Sequence, residues 1–400
     1  MKNLLVAQSG GPTAVVNTSL AGVISRAVQE PVVDLVYGAI YGIEGILNDH
    51  VAVLNDLDLE ILKQTPAAFL GSCRNRLPRM DEKPEVYEKI FSYFAEKNIE
   101  YFLYIGGNDS MDTVSKLSDY AALHSINVKI VGVPKTIDND LTCIDHTPGF
   151  GSAAKFVAAS VAEIDQDSQA YFLNSVTIIE IMGRHAGWLT AAAGLVRNEH
   201  RSAPHLIYLP ELSFSNERFI LDIKKQFQKG IRNVIVAVSE GVRDDKGALL
   251  CEHGISATDS FGHKNLSGVG KILENLVKEQ IGCKVRRIEL NVCQRCAGHL
   301  LSDTDFTEAF AIGEKGVEAA LKGKSGEMMI FTRISSDPYE VRIESVDIHK
   351  IANQEKTVPI EWIVDGNDIS DEFLAYLRPL ILGEVAIRYG EDGLPIHLHR

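Results

Sequence analysis

The chain has 400 residues, 45% of them hydrophobic and 24% charged, with a formal net charge of −14 and a pI near 5.4. Such a length can bury a large core and, at roughly 150 residues per domain, predicts two or three domains. The acidic balance supplies no basic field for nucleic acid or anionic lipid, so any anion must be held in a local pocket.

Residues 1–8 lack the charged start, long apolar segment and small-residue cleavage site of a secretory leader, and no stretch approaches the roughly 18 apolar residues of a membrane span, so the chain reads as cytoplasmic. Beyond that start, short β-branched runs alternate with helical periodicity. The pattern predicts βαβ units and a mainly parallel sheet, with strands over 3–8, 32–37, 101–105, 128–133, 175–180, 205–208, 233–238 and 285–290. Several end in glycine-bearing or polar loops: Ser9-Gly10-Gly11, Gly106-Gly107-Asn108-Asp109-Ser110, the run from Pro134 to Asp140, Met182-Gly183-Arg184 and Glu240-Gly241. In open α/β sheets ligands bind outside the carboxyl ends of strands, so these loops are expected to converge on one crevice. After about residue 324 the texture changes: 327–334 and 340–343 read as an antiparallel pair, and 360–382 as a helical cap.

Three motif matches carry nothing. Gly149-Phe150-Gly151-Ser152-Ala153-Ala154 fits a dinucleotide fingerprint by letters but follows a polar loop instead of a strand, and it reads as helix packing. Gly323-Lys324-Ser325 ends like a phosphate loop, yet Glu318 stands where the first glycine is required. The six cysteines are too sparse for a disulfide scaffold, and Cys293-Gln294-Arg295-Cys296 lacks the second pair that a zinc site needs.

The informative constellation is the pair of loops after 101–105 and 128–133. Gly106-Gly107 lets backbone approach a phosphate, and Ser110 begins a helix whose amides and dipole favour an anion. The next loop sets Lys135, Thr136, Asp138 and Asp140 within six residues. Phosphoryl transfer can use that mixture: a cation for charge, a hydroxyl for positioning and a carboxylate to accept a proton.

These loops, together with Phe69-Leu70-Gly71-Ser72-Cys73-Arg74, the segment from Ile181 to Gly187, Ser239-Glu240-Gly241 and Gln294-Arg295, occur in the order seen in phosphofructokinases. The chain thus resembles that family over roughly residues 1–320. The resemblance implies two Rossmann-like, mainly parallel α/β domains with a C-terminal extension. A donor domain would take 1–145 with about 294–305, a fructose 6-phosphate domain 146–293 with about 306–325, and the extension 326–400. It implies phosphoryl transfer to the 1-hydroxyl of fructose 6-phosphate, Mg²⁺ as cofactor, and a homodimer or homotetramer. Asp138 looks like the general base, with Thr136 and Asp140 ordering its loop and Arg74 bridging the transferring group. Gly11, Asp109 and Lys135 fall on the donor side. Thr136, Ile137, Asp138, Met182, Gly183, Arg184, Glu240, Arg286 and Arg295 fall where the family binds the sugar phosphate.

Donor choice turns on two positions. ATP-dependent relatives typically have glycines where this chain has Asp109 and Lys135; a carboxylate and an ammonium fill the room that the α-phosphate and nucleoside need. The pattern resembles the pyrophosphate-dependent branch. The alternatives are an ATP-dependent phosphofructokinase and a non-catalytic sugar-phosphate-binding subunit, against which Asp138, Thr136 and Arg74 argue. Three departures from the family stand out. Asn108 replaces an aspartate associated with Mg²⁺, leaving Asn108 and Asp109 as the candidate metal ligands. Ser175 stands in place of an arginine that reaches across a subunit interface in bacterial ATP enzymes, and Val292 in place of a phosphate-binding histidine.

Overall fold

A computed structural model describes residues 2–73, 76–253, 268–352 and 354–400. In chain order the strands are β1 (Lys2–Gln8), β2 (Val33–Ala39), β3 (Val51–Val53), β4 (Ile99–Gly106), β5 (Lys129–Pro134), β6 (Ser175–Ile181), β7 (Leu206–Tyr208), β8 (Asn233–Ser239), β9 (Lys284–Glu289), β10 (Glu327–Ser336) and β11 (Tyr339–Asp347). All eight strands read from the sequence form within two residues of their expected ends; β3 has no counterpart among them.

These strands build two sheets, and a separate short antiparallel pair joins Ile363–Val364 to Asp368–Ile369. The first runs β11-β10-β5-β4-β1-β2-β3, and the second β7-β8-β6-β9. Strands β5, β4, β1 and β2 pair in parallel, as do all four strands of the second sheet. Their composition explains this: a parallel sheet covered on both faces needs apolar side chains on both. Along β6 and β8, Ile179, Ile181, Ile235 and Ala237 enter one core while Val176, Ile178, Val234, Val236 and Val238 enter another. The strand period of two sends neighbours to opposite sides, so an unbroken β-branched run is buried twice over.

Two elements depart from the expected division. Residues 306–325 were expected with the sugar-phosphate domain, but the helix Asp303–Leu321 packs chiefly along the helix Val16–Val28, and Ile312 and Val317 lie in the core of the first sheet. Glycine permits the approach: a Cβ on Gly22 would sit 2.1 Å from the Phe310 carbonyl oxygen, and one on Gly313 2.2 Å from that of Ser19. The antiparallel pair β10–β11 forms as read, yet it is not separate, because Glu327 and Met328 pair in parallel with Val131 and Gly132 of β5 and extend the first sheet. The cap over 360–382 is a helix of seven residues, Asp371–Leu377, between short turns, with Phe373, Leu377 and Leu380 buried in the second core. The extension therefore runs from the edge of one sheet to the core of the other, past the crevice between them. Among the described residues no helix is long and apolar enough to cross a membrane.

The two discarded glycine motifs behave as packing and turn. Gly149 has φ +103° against Thr13 and opens the helix Phe150–Gln169, while Lys324 pairs with Glu327 on the surface.

Candidate active site

The loops at the carboxyl ends of β1, β4, β5, β6 and β8 line one cavity of about 760 Å³. Its walls are Gly10 to Pro12, Arg76, Gly107 to Ser110, Lys135 to Asp138, Asp140, Met182, Arg184, His185, Glu240, Arg295 and Glu355.

The donor side is built from three backbone segments held together by Lys135. The Lys135 N–H donates to the Gly106 carbonyl at 3.0 Å, tying the loop after β5 to that after β4. Its buried side chain then turns under the first loop, where the ammonium donates to the Gly11 carbonyl at 2.7 Å and would lie 3.2 Å from a Cβ on Gly10. The helix Asn108–Leu123 starts at the cavity, so its first amides and positive dipole end face the same space. Asp109 is exposed at that helix start and pairs with Arg76 at 2.8 Å. Both partners are solvated, so the pair contributes about 1 kcal/mol at most to stability. Arg74 lies outside the described residues; the preceding Cys73 carbonyl accepts from the Gly10 N–H at 3.3 Å.

Asp138 sits at the centre. The Thr136 hydroxyl accepts from the Asp138 N–H at 3.1 Å, and the Thr147 hydroxyl donates to the Thr136 carbonyl at 2.8 Å, fixing the turn. Burial pushes the Asp138 carboxyl up to about 7, helped by Asp140 and Glu240 and opposed by Lys135 and Arg295. A carboxyl so poised can hold or release a proton near neutrality, which a general base working in both directions requires. Asp140 is also raised, by burial first and then by Glu355.

The sugar side is a set of interlocked turns. Gly183 has φ +124°, a conformation that L side chains rarely adopt, and a Cβ there would meet the Ala186 carbonyl oxygen at 2.5 Å. The Ser239 hydroxyl donates to the Gly183 carbonyl at 2.7 Å, and the Gln294 carboxamide oxygen accepts from the Met182 N–H at 3.2 Å. Arg295, at the end of the short turn Asn291–Arg295, brings its guanidinium within 3.5 Å of a Cβ built on Gly11. The Ile137 side chain goes into the second core, leaving its backbone to face the cavity.

Of the residues named from the sequence, Arg286 stands apart. It is the third residue of the edge strand β9, not part of a loop at a strand's carboxyl end, and it pairs with Asp167 and the Tyr171 ring away from the cavity lining. Ser175 lies on the same face and donates to Asn233 at 2.8 Å. Conversely Pro12, Arg76, His185 and Glu355 line the cavity without having been assigned a role. Pro12, Arg76 and His185 lie within two residues of ones that were assigned, whereas Glu355 comes from the extension and no local motif marks it. Among the described residues no cluster of three metal-ligating side chains forms. The Asn108 Oδ1 is nevertheless buried without a hydrogen-bond partner.

Residues 3–320 match the family model described as phosphofructokinase. A pyrophosphate–fructose 6-phosphate 1-phosphotransferase from Xanthomonas campestris pv. campestris is 41% identical over 399 residues, covering 98% of this chain and 94% of that protein. The crystal structure of a pyrophosphate-dependent phosphofructokinase from Nitrosospira multiformis superposes with a TM-score of 0.90 at 35% identity, covering 99% of this chain and 96% of that one. Another from Marinobacter aquaeolei gives 0.88 at 36%, covering 99% and 95%. The chain belongs to the phosphofructokinase family.

Proposed function

We propose that the chain transfers a phosphoryl group reversibly from pyrophosphate to the 1-hydroxyl of fructose 6-phosphate, giving fructose 1,6-bisphosphate and phosphate. The observation that carries the choice of donor is the Lys135 ammonium, buried between the Gly10-Gly11 loop and the Gly106-Gly107 loop. A cation there suits the compact charge of pyrophosphate and occupies the room that the rest of a nucleotide would use. The Xanthomonas relative, similar over almost its whole length, is named for this activity.

Asp138 takes the proton of the attacking 1-hydroxyl and returns it in the reverse direction, with Thr136 and Asp140 ordering its loop. Arg74 bridges the transferring group. Gly11, Asp109 and Lys135 hold the donor. Met182, Gly183, Arg184, Glu240 and Arg295 form the sugar-phosphate side, with the backbone of Ile137. Arg286 contacts the sugar phosphate only across a boundary between copies of the chain, which fits a homodimer or homotetramer. The first sheet is the donor domain and the second the fructose 6-phosphate domain.

Mg²⁺ fits the donor end. The unpartnered Asn108 Oδ1 and the Asp109 carboxylate are oxygen donors of the kind a hard cation takes. When bound, the ion would neutralise charge on pyrophosphate. The reaction belongs in the cytoplasm, where sugar phosphates are interconverted.

Phosphorus NMR of the purified chain with fructose 6-phosphate, pyrophosphate and Mg²⁺ tests this reading. Orthophosphate and a new C1 phosphoester should appear together and approach the same mixture from fructose 1,6-bisphosphate plus phosphate. Orthophosphate without the ester would contradict it.

A further inference from the structure

Behind the catalytic loop, on the side away from the cavity, the extension delivers a lysine whose contacts the reading above does not use. The Lys356 ammonium donates to the Asn139 side-chain oxygen at 3.2 Å, the Ile144 carbonyl at 3.1 Å and the Asp145 carbonyl at 2.7 Å. Three acceptors match the three N–H groups of an ammonium. Its own backbone N–H donates to the Asp140 carbonyl at 2.7 Å. One residue therefore holds the loop carrying Asp138 at four points, immediately after Asp138 and at the loop's return.

Lys356 is itself fixed from the sugar side. The Trp188 indole N–H donates to the Lys356 carbonyl at 2.9 Å, and the ammonium lies 4.9 Å from the Trp188 ring centroid. Two residues on, the Val358 N–H donates to Glu211 Oε1 at 2.9 Å, the same oxygen that accepts from the Gly187 N–H at 2.8 Å. Gly187 ends the turn that carries Met182 to Arg184. The two loops that must meet across the transferring group are thus referenced to one short segment of the extension. Asn139, with φ +54°, needs such support: it donates to the Tyr376 hydroxyl at 3.3 Å, and that hydroxyl donates to the Asp145 carbonyl at 2.6 Å.

We propose that Lys356 is a positioning residue for phosphoryl transfer, setting the catalytic loop in register with the sugar-phosphate loop so that the Asp138 carboxylate meets the 1-hydroxyl. The residue is half-buried, and desolvation of its ammonium pushes it down to about 7, with Asp145 and Asp140 opposing and Arg333 reinforcing. A lysine kept in such a place at a cost in desolvation is retained for geometry more readily than for stability.

The inference rests on Asp138 as the proton acceptor, and the experiment separates the two. Lys356→Met, Lys356→Gln, Tyr376→Phe and Asp138→Asn are assayed with pyrophosphate and fructose 6-phosphate, and folding is followed by circular dichroism. Lys356→Met removes the donors at nearly constant length and is expected to lower kcat by about 10- to 100-fold, as displacement of a reacting group does, while KM for both substrates stays within about threefold. Lys356→Gln keeps two N–H donors and should recover part of kcat; it is the variant to read if the methionine chain does not fold. Tyr376→Phe, on a different element, should lower kcat in the same sense by a smaller factor. A folded Lys356→Met with kcat within about twofold of the parent, or a loss confined to KM for fructose 6-phosphate, overturns the positioning role. If Asp138→Asn alone keeps near-normal kcat, the reading of the loop fails; if it is inactive while Lys356→Met is normal, only the role of Lys356 falls.

Discussion

The Lys135 ammonium and the Gly11 carbonyl, 124 positions apart in sequence, meet at 2.7 Å and close the donor end of the cavity. Because Lys135 is also tied by its backbone to Gly106, its charge is fixed between two phosphate-approaching loops instead of waving in solvent. Replacing it should therefore harm the donor step itself. Lys135→Gly is expected to lower kcat/KM for pyrophosphate by about 30- to several-thousand-fold, the loss of one desolvated ionic contact worth about 2–5 kcal/mol. Asp109→Gly, by removing bulk and a like charge, should make ATP turnover measurable. Initial rates with each donor check both; unchanged pyrophosphate kinetics in Lys135→Gly would mean that the ammonium does not touch the donor.

Asp138 combines a mechanistic and a pH prediction. Asp138→Asn should lower kcat by about 10²–10⁴, the usual range for losing a general base. With the carboxyl raised to about 7, the parent's rate toward the bisphosphate should fall as pH drops through that value, because the base becomes protonated. The linkage sign runs the other way for stability. A carboxyl whose folded value is raised favours the fold when protonated, so its contribution is full at low pH and is lost as pH rises through about 7. Thermal melts should show Asp138→Asn gaining on the parent between mildly acidic and mildly alkaline pH; a gap independent of pH would contradict the raised value.

Arg295 tests the sugar end. Its guanidinium borders the same cavity as Arg184 and Met182. Arg295→Ala should raise KM for fructose 6-phosphate by about tenfold or more, through loss of a charge-assisted contact to phosphate, with KM for pyrophosphate little changed. Saturation curves in each substrate distinguish this from the reverse pattern, which would move Arg295 to the donor.

His146 offers a prediction on stability alone. Burial works against its charge, but Glu308 at 2.7 Å and Asp145 at 2.8 Å outweigh that and push it up to about 9. A raised histidine stabilises fully below its usual value and loses the contribution as pH rises through about 9. Melting temperature should fall on the alkaline side, and His146→Gln, which leaves Asp145 to Arg333 and Glu308 to the Tyr339 hydroxyl, should cost about 2 kcal/mol near neutral pH and flatten that fall. Denaturant midpoints at several pH values are the check.

Much of this was legible in the chain before any coordinates, for a physical reason. Strands such as β6 and β8 are short β-branched runs ended by glycine or polar loops, and both their type and their ends are local information. The same holds for the loop from Lys135 to Asp140, whose chemistry sits within six consecutive residues. What was not legible is non-local. That the helix Asp303–Leu321 packs on the first sheet was not expected, because close packing through Gly22 and Gly313 depends on a partner helix almost 300 positions earlier. Glu355 and Lys356 carry no motif; Glu355 reaches the cavity, and Lys356 the back of the catalytic loop, only because the extension crosses from β11 to the second core. Arg286 has the right residue type for a phosphate contact, but its place within an edge strand turns it toward Asp167 and Tyr171 in this chain.

The central claim is the identity of the phosphoryl donor, and its most direct test is the ratio of kcat/KM for pyrophosphate to that for ATP, measured on the unmodified chain with saturating fructose 6-phosphate and Mg²⁺. Phosphate release reports the first and ADP formation the second. A site whose donor end is filled by Lys135 and Asp109 should favour pyrophosphate by about 100-fold or more, the scale on which a built-in obstruction discriminates. Equal turnover of the two donors, or a preference for ATP, would contradict the account.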